Sequence, residues 1–274
     1  MAIKTILLHL APDNNREGRF DAALDLARRF GAHLHIVYMT QPAHMPAAVT
    51  GRGASYAFIA EATAIAREKA AEVTDWVKNR CSEVKVSWDL DVLEGDHNKI
   101  LADLGHYADL IIVSKDHGVT LDDYVGLSSP DDLLVMATTP VLMLPINRPI
   151  EPIGKKVMVA WKDTREAARA VRDSLDVLRA ADEVYVMTGD RPHERFESAS
   201  SLVTYLERQD IKPKQVSDVA ERNIGQVILT YAEDHKIDLL IMGAYGKSRW
   251  REIIWGGATQ HVLNHATIPV MMSH

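Results

Sequence analysis

The chain has 274 residues, 47% of them hydrophobic and 25% charged, which is ordinary for a folded protein and long enough for two domains. Its net charge of −7, with acids and bases interleaved, leaves no basic stripe to track a phosphate backbone, which excludes nucleic acid as an expected partner. Cys81 stands alone, so an internal disulfide and a zinc–thiolate cluster are excluded, and no apolar run approaches the ~18 residues of a membrane span.

The opening MAIKTILLHLAPD is too soon broken for a signal peptide, so a cytoplasmic location with no membrane partner is expected. Its core, TILLHL, is the first predicted strand, and LHIVYM the second. Both are continuous apolar runs without alternation, the pattern of strands buried on both faces of a parallel sheet. The loop QPAHMPAAVTGRGAS, residues 41–55, follows, rich in small residues and proline and therefore an expected first site of proteolysis. FIAEATAIAREKAAEVTDWVKNR then repeats apolar residues at helical spacing. DLIIV, the acidic loop SKDHGVTLDDY and the strand PVLML close the first half, and INRPIEPIG, residues 146–154, reads as a linker.

Beyond the linker the chain repeats itself. KKVMVAW, from Lys155, parallels the start at Lys4, and IDLLIMGAYGKSRWREIIWGGATQHVLNHATIPVMMS, from Ile237, lies on the segment from Ala108 without a gap. Asp109 falls on Asp238 and Pro140 on Pro269. Two α/β domains are expected, 1–146 and 155–274, each doubly wound, with a five-stranded, mostly parallel sheet and helices on both faces. The join TGDRPHERFES makes the second half shorter at the place of the 41–55 loop. TIPVMMSH and TPVLMLP give both halves an apolar closing strand, and such an edge invites a partner. The two closing strands are expected to pair as a pseudo-dimer within the chain, with a homodimer as a further expectation.

After DLLIM come Gly243, Gly246, Gly256 and Gly257, spaced around a basic loop with Lys247, Ser248, Arg249 and Arg251. Glycines there permit a sharp turn and close backbone approach, and the start of the helix that follows suits an anion. Thr259 is read equally as ligand contact and as N-cap of TQHVLNHA. Asp163 with Glu166 fits a capping box for TREAARAV.

The pattern G-x2-G-x9-G followed by a small or hydroxyl residue, with VMVAW, TREAARAV and IPVMM around it, resembles the universal stress protein family in its tandem form. The resemblance implies ATP or a related adenine nucleotide bound in the second half, with slow or no hydrolysis and no metal beyond a magnesium carried by the nucleotide. It implies contacts from Ala160, Trp161 and Lys162 after the first strand, and from Met242, Gly243, Gly246 and Lys247 after the fourth. Gly256, Gly257, Ala258 and Thr259 complete the set at the start of the last helix. Lys162 stands where the family's nucleotide binders usually carry aspartate, and Gly257 where serine is frequent. The first half departs further: Ser114, His117, Leu127, Ser128, Ser129 and Pro130 occupy the motif, and Ala11 the aspartate's place. Its acidic loop repels phosphate, so that half is expected to have lost the site.

No P-loop, pyrophosphatase loop or GxSxG elbow is present, so no catalytic residue is assigned and an enzyme is not expected. His261 and His265 share a helix face at zinc-binding spacing, but without a third ligand they read as surface residues. Cys81 reads as structural, and Trp161, Trp250 and Trp255 as packing residues before base-stacking ones. The leading function is a stress-response regulator that binds adenine nucleotide and has unidentified protein partners. The alternative is a protein-interaction or small-ligand module that binds no nucleotide.

Overall fold

The computed structural model describes residues 2–10, 15–40, 52–114, 130–145, 152–188, 198–217, 223–244 and 257–274. The first half runs β1 (Thr5–Leu10), α1 (Arg16–Phe30), β2 (His33–Thr40), α2 (Arg52–Cys81), β3 (Trp88–Glu94), α3 (His97–Gly105), β4 (Leu110–Ser114), α4 (Pro130–Met136) and β5 (Val141–Leu144). The second runs β6 (Lys156–Trp161), α5 (Arg165–Asp173), α6 (Leu175–Ala180), β7 (Glu183–Thr188), α7 (Ser198–Glu207), β8 (Pro213–Ser217), α8 (Ile224–Asp234), β9 (Leu239–Gly243), α9 (Gly257–His265) and β10 (Val270–Ser273).

The continuous apolar runs become strands because they are covered on both sides. Leu8, Ile36, Val157 and Met271 face a core formed with α1, α2, α5, α6 and α7, while Leu7, Val37, Met158 and Met272 face a second core with α3, α4, α8 and α9. Cys81 is buried in the first of these, and burial raises its thiol pKa, as suits a structural cysteine.

Within each half all neighbouring strands are parallel. The halves join where β5 pairs antiparallel with β10, Met143 opposite Val270 and Val141 opposite Met272. The two apolar closing strands thus satisfy each other, and the result is one ten-stranded sheet ordered β3-β2-β1-β4-β5-β10-β9-β6-β7-β8. Arg169 on α5 fastens the same seam, donating to the carbonyls of His274 and, from the first half, Thr138.

The repeated aspartates have a structural task. Asp109 Oδ2 accepts the amides of Lys4 and Thr5, at 2.8 and 2.9 Å, and Asp238 accepts those of Gly154, Lys155 and Lys156. Each carboxylate therefore pins the start of its half's first strand.

Two expectations are corrected, at the start of α2 and at the cap of α5, and between them one helix divides. Helix α2 reaches back to Arg52, taking in the end of the expected 41–55 loop, because no proline lies between Arg52 and Phe58 to stop it. Residues 41–51 of that loop lie outside the described residues. The helix after β6 is broken into α5 and α6 at Ser174, whose buried hydroxyl donates to the carbonyls of Ala170 and Val171 at 2.7 and 3.1 Å. Its cap is Thr164, which accepts the Ala167 amide at 3.3 Å, so the expected Asp163–Glu166 capping box is displaced by one residue.

Candidate functional site

In each half the strand order reverses between the first strand and the fourth, and the crevice for a ligand opens beyond their carboxyl ends. In the second half these are the ends of β6 and β9, held in register by Ala160 beside Met242. Ala160 is half-buried on the α8–α9 side of the sheet. Trp161 alternates to the other side, packed against the α5–α7 core, so its indole is turned away from α9. Lys162 is exposed beyond the strand, its carbonyl accepting the Thr164 amide at 2.7 Å.

Met242 is a core side chain, 6% exposed, leaving only its backbone at the crevice. Gly243 is demanded by the fold itself: a Cβ there would stand 2.5 Å from the Ala167 nitrogen and 2.7 Å from the Glu166 carbonyl carbon. The start of α5 thus lies on the end of β9, a contact that only glycine admits. Glu166 is buried there; burial raises its pKa, but hydrogen bonds from Arg165, its own backbone and Thr164 prevail and hold the carboxyl below the usual range. Gly246, Lys247, Ser248, Arg249, Trp250, Arg251, Trp255 and Gly256 lie outside the described residues.

Helix α9 opens at Gly257, which is exposed, with nothing among the described residues within 4 Å of where a Cβ would stand. Ala258 is half-buried and Thr259 buried, at 6% exposure. Because the helix starts at Gly257, Thr259 is its third residue and not its N-cap. Behind it α8 and α9 are in backbone contact: a Cβ on Gly225 would meet His261 Cβ at 2.8 Å and the Ala258 carbonyl oxygen at 3.0 Å. His261 and His265 stack on each other at 4.3 Å, and His265 Nδ1 donates to the His261 carbonyl oxygen. That bond spends a nitrogen on the helix backbone, and among the described residues no group of three or more His, Cys, Asp or Glu could hold a metal ion.

The first half fills the corresponding crevice with side chains. Ser114, in the place of Gly243, accepts a hydrogen bond from Asn15 Nδ2 at 2.9 Å, and the same amide donates to the Pro145 carbonyl at 3.0 Å. His9, in the place of Ala160, is 2% exposed and faces His97, the first residue of α3, with Nε2 3.2 Å from Nδ1. Arg19, also buried, donates to the His9 carbonyl at 2.7 Å. Burial holds the His9 pKa well below its ordinary value, with Arg19 and His97 pushing the same way; His97 is lowered by burial against the pull of Asp96. His9 Nδ1 and His97 Nε2 are buried without a hydrogen-bond partner among the described residues. A histidine inside the apolar run TILLHL was the available sequence signal for this pair; nothing in the sequence pointed to His97. Ala11, His117, Leu127, Ser128 and Ser129 lie outside the described residues, and Pro130 opens α4.

Comparison with known proteins gives one family. A profile described as the universal stress protein family matches residues 3–145 and again residues 154–274. A universal stress protein of Synechocystis, Slr1230, is 48% identical over 46 residues, a match spanning 17% of this chain and 16% of that protein. Among solved structures, a universal stress protein from Archaeoglobus fulgidus superposes with a TM-score of 0.76 at 15% identity, covering 98% of this chain and 95% of its own. One described as a putative universal stress protein, from Pseudomonas aeruginosa, gives 0.65 at 18% identity, with 99% and 93% covered. At these identities the superpositions speak for the fold alone.

Proposed function

Because the chain belongs to the universal stress protein family, with two copies of its domain in tandem, we propose that it is a stress-response regulator whose second half binds ATP or a related adenine nucleotide. The observation that carries this reading is the open start of α9. Gly257 is exposed, its first-turn backbone N–H groups have no partner within the helix, and among the described residues nothing lies within 4 Å of where its Cβ would stand. The amides of Gly257 and Ala258 and the Thr259 hydroxyl are the groups for phosphate. Gly246, Lys247 and Gly256 complete the spacing and charge of the preceding loop, and Ala160, Trp161, Lys162, Met242 and Gly243 form the floor through their backbone. Any magnesium arrives with the nucleotide, and with no catalytic base assigned from the sequence, hydrolysis is slow or absent. A cytoplasmic setting is part of the proposal; among the described residues no helix is long and apolar enough to cross a membrane.

The competing reading, a protein-interaction or small-ligand module, draws on exposed Lys162 in the place of the family's aspartate. Two measurements separate them: chromatography of the supernatant after denaturing purified protein, and calorimetry with ATP. One nucleotide per chain is expected, lost in Gly256→Phe because a ring would fill the phosphate site. Leu127→Gly in the first half is expected to add no second site. Absence of both heat and carried-over nucleotide would establish the competing reading, and undiminished affinity in Gly256→Phe would remove the glycine loop from the site.

A further inference from the structure

We propose that the cleft between α5 and α7 is a second ligand site, for a planar aromatic molecule carrying one acidic group and one amine. The cleft has a volume of about 350 Å³ and is walled by Trp161, Tyr205 and Leu202, with Asp163, Arg172 and Ser201 among its lining. It lies on the face of the sheet opposite α9, because Trp161 and Tyr205 pack on the α5–α7 core while α8 and α9 cover the other side. A nucleotide at Gly257 therefore leaves it open.

The lining has the composition of a small-molecule site: a mostly apolar concavity of the usual size with few polar groups. Two aromatic side chains offer faces and edges to a ring. The polar groups are of opposite sign. Arg172 offers a guanidinium fork that matches a carboxylate, and Asp163 a carboxylate that accepts from an ammonium group. Among the described residues neither side chain is in a salt bridge or a side-chain hydrogen bond, although Arg172 lies within electrostatic reach of Asp173, whereas other charges nearby are bonded directly: Arg165 with Glu166, and Arg169 with two carbonyls. An aromatic zwitterion offers a hydrogen-bonding partner to both charges at once; a purely apolar occupant offers one to neither. Ser201 and the Tyr205 hydroxyl can turn to either group.

The test is calorimetry on the full chain with three probes: L-tryptophan, tryptamine, which lacks the acid, and indole-3-propionate, which lacks the amine. L-tryptophan is expected to bind, and each truncated probe at least about tenfold more weakly, the worth of a lost charge-assisted hydrogen bond. Arg172→Gln is expected to weaken tryptophan and indole-3-propionate by a similar factor and leave tryptamine unchanged. Ser201→Trp, at an exposed helix position, fills the mouth and is expected to abolish all three, with an unchanged circular dichroism melt showing both variants folded. No heat from any probe overturns the proposal, as does equal binding by Arg172→Gln. Displacement of tryptophan by saturating ATP also overturns it, since the cleft would then belong to the nucleotide.

Discussion

The two crevices of this molecule are built from the same strand order and filled in opposite ways. At the second, Gly243 lets α5 settle on the end of β9, Ala160 leaves the floor open, and α9 begins at an uncovered glycine. At the first, Ser114 is tied to Asn15, and His9 closes against His97. Four side chains, Ser114, Asn15, His9 and His97, fill the first crevice without changing the strand order. A ligand site in this fold is thus a matter of what is left out at the carboxyl ends of the strands, and the positions that close it are the ones that would otherwise hold the ligand.

The contrast can be broken most sharply at Gly243. Gly243→Val is expected to destabilise the second half by about 3 kcal/mol, read as a lowered urea midpoint with faster amide exchange in β9 and α5, since its Cβ must displace backbone. Ser114→Gly at the matching position should lose far less; equal losses would deny that the two ends are packed differently.

Acid comes next. His9 and His97 have folded-state pKa values below the unfolded one, so between the two the unfolded chain binds more protons. Stability from each is present above the unfolded value near 6.5 and is lost as pH falls, by about 1.4 kcal/mol per pH unit per histidine until the folded value is reached. Unfolding midpoints at pH 7.5 and 5.5, with exchange localised to β1 and α3, should show this loss in the first half. His9→Leu should flatten it, and a wild-type midpoint that does not fall with acid would overturn the assignment.

Smaller effects sharpen the picture. Asn15→Ala leaves Ser114 and the Pro145 carbonyl without their donor and should cost about 1.5 kcal/mol in the first half. Thr164→Ala removes the cap of α5 and should cost about 1 kcal/mol in the second, with Thr164→Ser restoring it; if Asp163 were the cap, Asp163→Ala would be the damaging change instead.

Much of the fold was legible because burial on both faces leaves an unmistakable apolar run: TILLHL, DLIIV, VMVAW and IPVMM each mark a central strand. The outer strands were not legible in that way. In β3, Trp88–Glu94, and β8, Pro213–Ser217, one edge meets solvent, so WDLDVLE and PKQVS carry charge and no continuous run. Of the site, the glycine spacing was visible, but not the reason for each glycine. Gly243 answers to the backbone of α5, a contact distant in sequence, while Gly257 meets nothing within 4 Å among the described residues. The one-residue slip from Asp163 to Thr164 has a local cause: both can cap, and the packing of Ala167 and Ala170 decides which residue the helix starts after. His97 carried no pattern at all, since its meaning depends on His9 of β1 meeting it on the face that α3 covers.

The antiparallel seam of β5 and β10 has a consequence for inheritance. Since all strands within a half run together, the two crevices open at opposite ends of the sheet and share no residue. A symmetric homodimer joined at such a seam writes every substitution twice, so a change that closes one crevice closes both. One chain that carries both halves is free of that bond. Each crevice can accumulate its own changes while the seam, held at fixed effective concentration by the covalent connection, keeps the pair together at any dilution.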